Sequence, residues 1–162
     1  MRTIRFAILT VSDRASRGQR ADASGPALVE LVESKGYQVA KLDIVPDVAG
    51  AIEKKLMAWS DDDEADIILT TGGTGVAPRD VTPEATRDVV ERLTPGLDEV
   101  MRAASLKITP HAMLSRAISG IRKRTLIINL PGSPKGAVEN AQVVLPVLEH
   151  AVKLLRDEDA GH

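Results

Sequence analysis

Three glycines in four positions, Gly72-Gly73-Thr74-Gly75, let a backbone turn tightly and aim several N–H groups at one point. Such a nest binds anions, phosphate first among them, although the same glycines also serve a plain tight turn. The run fits neither G-x-G-x-x-G nor G-x-x-x-x-G-K-[ST], which disfavours dinucleotide dehydrogenases and P-loop NTPases. Asp80 follows closely, and Asp47 stands after an aliphatic run. Two carboxylates beside a phosphate site offer the hard oxygen ligands that Mg²⁺ combines with substrate phosphates; as single residues, each also reads as a turn or helix cap. Pro131-Gly132-Ser133-Pro134-Lys135 joins a hydroxyl and a cation on a loop stiffened by two prolines, suited to framing a flat ring or a phosphate, or simply to turning the chain. His111, His150 and His162 have no metal-ligand spacing and read as surface or packing residues. The acidic stretch Asp61 to Glu64 and the basic Arg122-Lys123-Arg124 read as a solvated loop and a turn.

These groups need a frame, and the hydrophobic pattern supplies one. Arg5 to Val11 and Thr125 to Leu130 are short aliphatic runs of the buried-strand type, and Tyr37 to Val45 and Asp66 to Thr71 are also strand-like. Between them fall helical segments. Ser24 as cap and Gly36 as terminator bound one that buries Leu28, Leu31 and Val32; Ile52, Leu56 and Trp59 form the stripe of another. Thr82 as cap with Pro83 at the first position starts a third, Leu97 to Leu106 a fourth, and the stretch to Arg156 a last one with a restart at Pro146. His111 to Ile121 fits helix or short strand equally. The alternation predicts a parallel α/β sheet with helices on both faces, in which ligands bind beyond the carboxyl ends of the strands. Four polar loops fall there: Ser12-Asp13-Arg14, Pro46-Asp47, Gly72 to Asp80, and Pro131 to Lys135.

Composition narrows the function. The chain has 162 residues, 43% hydrophobic and 27% charged, which predicts one globular domain over residues 1–156 and a loose tail over 157–162. Cys is absent, so zinc fingers, iron–sulfur sites, disulfides and thiol nucleophiles are excluded. With 21 Lys and Arg against 23 Asp and Glu, and Phe6, Tyr37 and Trp59 as the only aromatics, neither a basic field nor stacking platforms recruit nucleic acid. Arg2 and Arg5 before a short apolar run do not make a secretory signal, and no apolar stretch reaches membrane-spanning length; a cytoplasmic protein is expected.

The run from Thr70 to Thr86, TTGGTGVAPRDVTPEAT, resembles the signature of molybdopterin adenylyltransferases, the MogA/MoaB family that includes the G domains of gephyrin and its plant counterpart. The similarity continues through Ser12-Asp13-Arg14 with Ser16 and Gly18, Pro46-Asp47, Pro95-Gly96 with Glu99, Met101 and Arg102, and Asn129 to Lys135. It implies a three-layer α/β/α fold with a mostly parallel sheet and a homotrimer. It implies too that the chain transfers AMP from Mg-ATP to the terminal phosphate of molybdopterin, releasing pyrophosphate, in molybdenum cofactor biosynthesis. Hand-over of the product to a molybdenum insertase is implied as well. By the same resemblance Asp47 and Asp80 are required for activity and are the Mg²⁺ candidates. Thr71, Gly72, Gly73, Thr74 and Gly75, with Pro131, Gly132, Ser133, Pro134 and Lys135, build the pterin and nucleotide pocket, and Ser12, Asp13 and Glu99 join it. A molybdopterin-binding paralogue without transferase activity is the alternative; retention of both aspartates favours the enzyme. The apolar residues of Leu97 to Leu114 are the candidate trimer surface.

Overall fold

The computed structural model describes residues 3–158. Among these residues one mixed sheet of six strands carries the fold: β1 (Arg5–Val11), β2 (Gln38–Val45), β3 (Ile67–Thr71), β4 (Arg92–Leu93), β5 (Ser119–Arg122) and β6 (Thr125–Leu130), in the order β2-β1-β3-β6-β5-β4. The first four in that order are parallel, whereas β5 and β4 are antiparallel to their neighbours. The helices are a single turn α1 (Asp13–Ser16), α2 (Ser24–Ser34), α3 (Ala49–Asp61), α4 (Thr82–Val89), α5 (Pro95–Leu106) and α6 (Pro134–Leu155).

Side chains alternate across the strands, which divides the core into two layers. Phe6, Ile8, Ile67, Leu69, Leu126 and Ile128 face α2, α5 and α6, meeting Leu28, Met101 and Leu148. Ala7, Leu9, Ile68 and Ile127 face α3 and α4, meeting Ile52, Leu56, Trp59 and Ala85. This is a three-layer α/β/α sandwich. Each fully buried Leu or Ile contributes about 1.5–3 kcal/mol, so aliphatic side chains, joined by Phe6 in one layer and Trp59 in the other, seal both. At the end remote from the strand carboxyl termini, Arg5 and Arg156 both hydrogen-bond the buried Asp66 and tie β1, β3 and the end of α6 together.

Several local expectations are corrected. Ser24 is not the cap of α2 but its first residue, and the Gly25 N–H donates instead to Asp22 Oδ1 at 3.1 Å. Thr82 likewise lies inside α4; its hydroxyl donates to Gly72 O at 2.9 Å and staples the glycine loop. Pro146 does not restart α6, which runs on through it. The ambiguous stretch resolves into both alternatives, a 3₁₀ turn at Pro110–Leu114 and strand β5. The loop expected at Ser12-Asp13-Arg14 instead starts α1, capped by Ser12 Oγ accepting from Ala15 N–H. Of the tail, residues 159–162 lie outside the described ones.

Candidate active site

In this strand order the chain goes from β1 to β2 on one side and then crosses to β3 on the other, so the direction in which strands are added reverses between the parallel strands β1 and β3. A crevice opens at such a switch point. Here the loops after β1, β3 and β6 lie side by side. Gly72 has φ +103°, and a Cβ there would meet Val11 O at 2.3 Å; a Cβ on Gly132 would meet Gly72 Cα at 3.3 Å. The three loops therefore approach as closely as backbone allows, which explains glycine at these two positions. Thr71 Oγ1 donates to Pro131 O at 2.6 Å and fixes the neighbouring strand ends. Behind them the buried Asn129 amide donates to Thr70 Oγ1 and Thr86 Oγ1, both at 3.0 Å, and its carbonyl accepts from Ile118 N–H.

Two cavities meet at this crevice. The larger, about 470 Å³, is lined by Thr74, Gly75, Pro131 and, from α5, Asp98, Met101, Arg102 and Ser105, together with Ile108, His111 and Leu114. The smaller, about 350 Å³, is lined by Ser12, Arg20, Asp22, Asp47, Thr71, Gly72 and Pro134. Gly73, Asp80, Gly132 and Ser133 belong to both and form the partition between them. Among the described residues, no group accepts from the backbone N–H of Gly73, Thr74 or Gly75, nor from those of Gly132 and Ser133. Unclaimed donors converging on a partition are what an anion requires.

The carboxylates flank this nest. Asp47 Oδ2 accepts from Asp13 N–H at 2.9 Å while Asp13 Oδ1 accepts from Asp47 N–H at 3.0 Å, a reciprocal clasp between the β1 and β2 loops. Arg79 makes a two-pronged bond to Asp13 at 3.0 and 2.9 Å, which holds the Asp13 carboxyl below its ordinary value. Burial pushes Asp47 the opposite way, and the charges of Asp13 and Asp80 push with it. Asp47 Oδ1 lies 3.1 Å from the place a Gly73 Cβ would take, and Asp80 Oδ2 lies 2.9 Å from that of Gly75. Asp80 Oδ2 also accepts from Ala77 N–H at 3.0 Å. Oδ1 of each carboxylate accepts no hydrogen bond from a described residue. Among the described residues no three His, Asp or Glu are grouped as metal ligands. Two carboxylates with unshared oxygens beside unclaimed N–H donors fit Mg²⁺, which completes its shell with phosphate and water.

Not every residue singled out in the sequence arrives. Glu99 is exposed and lines neither cavity; Asp98, one position earlier, is buried in the larger one, where Ser119 donates to both its oxygens and burial raises its pKa. Asp98, Met101, Arg102 and Ser105 follow helical spacing from the core residue Met101, so the phase of α5 was the available signal. Lys135 is 82% exposed, pairs with Glu139 and lines neither cavity. Ser133 caps α6, its Oγ accepting from Gly136 N–H at 3.1 Å. Asp13 bonds Asp47 and Arg79 and lines neither cavity. Arg116, unread in the sequence, contacts the glycine loop directly.

A mostly parallel α/β sheet with a glycine nest, two rim carboxylates and paired cavities at its switch point suits a domain that handles phosphorylated ligands. The family described as "Probable molybdopterin binding domain" matches residues 7–150. A molybdopterin adenylyltransferase of Helicobacter pylori (strain J99) is 45% identical over 159 residues, covering 96% of this chain and 89% of that protein. The crystal structure of the molybdopterin biosynthesis enzyme MoaB from Thermus thermophilus superposes with a TM-score of 0.90 at 51% identity, covering 96% and 98% of the two chains. That of the tungsten cofactor synthesizing protein MoaB from Pyrococcus furiosus gives 0.87 at 31% identity, covering 96% and 99%. The chain belongs to the MogA/MoaB molybdopterin-binding family.

Proposed function

We infer that the protein is a molybdopterin adenylyltransferase, transferring AMP from Mg-ATP to the terminal phosphate of molybdopterin with release of pyrophosphate. The observation that carries this reading is the partition formed by Gly73, Asp80, Gly132 and Ser133 between two cavities. Each cavity takes one substrate and the reacting phosphates meet at the shared wall. A terminal phosphate oxygen of molybdopterin attacks the α-phosphorus of ATP, and the bond to the β-phosphate oxygen breaks. Bringing two such anions together costs roughly 4 kcal/mol per charge pair at 4 Å and an effective dielectric of about 20. The unclaimed N–H groups of Gly73 to Gly75 offset part of that repulsion and hold the groups in line. Asp47 and Asp80 would hold Mg²⁺, which, when bound, neutralises phosphate charge. No general base is needed, because the attacking phosphate is ionised at pH 7.

The clasp between Asp13 and Asp47 keeps the Asp47 carboxylate at the rim of the smaller cavity, and Arg79, bonded to Asp13, holds the clasp from outside. We extend the reading to a cytoplasmic homotrimer that passes its product to a molybdenum insertase. Leu97 and Met101 pack into the core, whereas Val100, Leu106, Ile108, Met113 and Leu114 are exposed on α5, the 3₁₀ turn and the link between them, a surface suited to a like-with-like contact. Incubation with molybdopterin and Mg-ATP, followed by mass spectrometry, should yield adenylylated pterin. Bound but unmodified pterin would establish the binding paralogue instead. Light scattering at micromolar concentration should give three times the 17.3 kDa chain mass, and a monomer would refute the trimer.

A further inference from the structure

We propose that Arg116 is a positioning residue for the transfer, a strap that turns the carbonyls of the glycine loop away from the phosphates so that its N–H groups face them; the proposal rests on the adenylyl-transfer reading. Arg116 lies between the 3₁₀ turn and β5, far in sequence from the loop it holds. Its backbone N–H donates to Thr74 O at 2.8 Å, Nε to Gly75 O at 2.7 Å and Nη2 to Asp80 O at 2.8 Å. Nη1 pairs with Glu84 Oε2 at 2.6 Å on α4. In a trans peptide the carbonyl and the following N–H point in opposite directions. Holding Thr74 O and Gly75 O on the Arg116 side therefore aims the N–H groups of Gly75 and Val76 the other way. The same bonds take partial negative charge off the face that receives an anion.

Little else fixes this stretch. From Thr74 to Asp80, the hydrogen bonds to other parts of the described chain are those to Arg116 and the exposed pair of Arg79 with Asp13. Arg116 is itself anchored from behind. Arg102 on α5 donates to Ser115 O at 3.0 Å and to Ala117 O at 3.3 Å, gripping the residues on either side of it. Arg102, Ser115 and Ala117 line the larger cavity. A substrate seated there thus presses on the segment whose guanidinium holds the carbonyl of Asp80.

The test compares wild type, Arg116→Ala and Arg116→Lys, each measured well below its melting temperature, with kcat expressed per folded molecule. Arg116→Ala should lower kcat by roughly 10–100-fold, the scale of a misplaced reacting group, with a smaller change in KM for either substrate. Arg116→Lys, unable to reach three acceptors, should recover only part of the loss, and added guanidinium ion should partly restore Arg116→Ala. Amide hydrogen exchange over Gly73–Val81 should accelerate in Arg116→Ala, and calorimetric titration with tripolyphosphate should show weaker binding. An unchanged kcat, or lost kcat with unchanged exchange over that segment, would overturn the strap. Absence of transfer by wild type would sink the activity reading alone; exchange and tripolyphosphate binding would then decide the strap by themselves.

Discussion

Replacing Gly72 by alanine tests whether the close approach of the three loops governs both stability and chemistry, with Gly36→Ala as its control. Both glycines have positive φ, +103° at Gly72 and +82° at Gly36, so both substitutions incur backbone strain, about 1–2 kcal/mol in the left-handed region. A Cβ at Gly36 meets nothing within 4 Å, and strain is its whole cost. At Gly72 the new Cβ would stand 2.3 Å from Val11 O, about 1 Å inside ordinary contact, against the end of a central strand and not a movable side chain. Overpacking of this kind adds typically 1–3 kcal/mol. Gly72→Ala should therefore be destabilised by about 2–5 kcal/mol, which at about 2–4 °C per kcal/mol for a chain of this size lowers Tm by roughly 4–20 °C. Gly36→Ala should lose about 2–8 °C on the same scale. The displacement needed at Gly72 also moves the N–H donors by about 1 Å, and a misplacement of that size reduces transfer by on the order of 100-fold. Thermal melts and a turnover assay on the two variants form the experiment. Equal melting temperatures, or wild-type turnover in Gly72→Ala, would refute the claim that contact between these loops places the donors.

Asp80→Asn keeps the shape of the side chain and discards its charge; it should fold normally by circular dichroism and lose most adenylyl transfer, and near-normal turnover would reduce Asp80 to a loop-bracing residue. Because burial and neighbouring carboxylates raise Asp47, its ionised form is lost on acidification from above the ordinary 3.8, and the acid limb of kcat/KM should lie higher than a free aspartate's. Asp13→Asn removes one repelling charge while keeping the Asp13 N–H on Asp47, so the limb should move down in pH; an unmoved limb would mean that Asp47 does not set it. Burial alone would raise Asp66, but its hydrogen bonds from Arg5 and Arg156 prevail and hold it below 3.8. A lowered carboxyl stabilises the fold above its unfolded value near 3.9 and loses that contribution as pH falls through its folded value. Arg156→Met should thus cost about 3 kcal/mol in urea unfolding at pH 7, and clearly less at pH 3. A cost independent of pH would locate it in packing instead.

Strands β1, β3 and β6 were legible because each is a short, largely aliphatic run of the kind a buried strand of a parallel sheet carries, whereas β2, with Lys41 and Asp43 and lying at the sheet edge, was legible only as strand-like. The glycine loop was legible for a related reason: where backbone must approach backbone, as Gly72 approaches Val11 O, no other residue fits, and the sequence must say so. Periodicity held the answer at Glu99 and Asp98 as well, since the core contact of Met101 fixes which face of α5 looks into the cavity. Other features had no local signal. The clasp of Asp13 with Asp47 spans 34 positions and the bond of Arg116 to Gly75 spans 41, and each exists because two loops at one sheet edge come within hydrogen-bond reach. Lys135 has the charge for a phosphate ligand, yet the start of α6 at Pro134 turns it to solvent. Residue type and spacing determined which chemistry this chain carries. Which charges face the cavities, which are spent on one another, and which arginine holds the loop followed from the sheet order and helix phases that only the folded chain possesses.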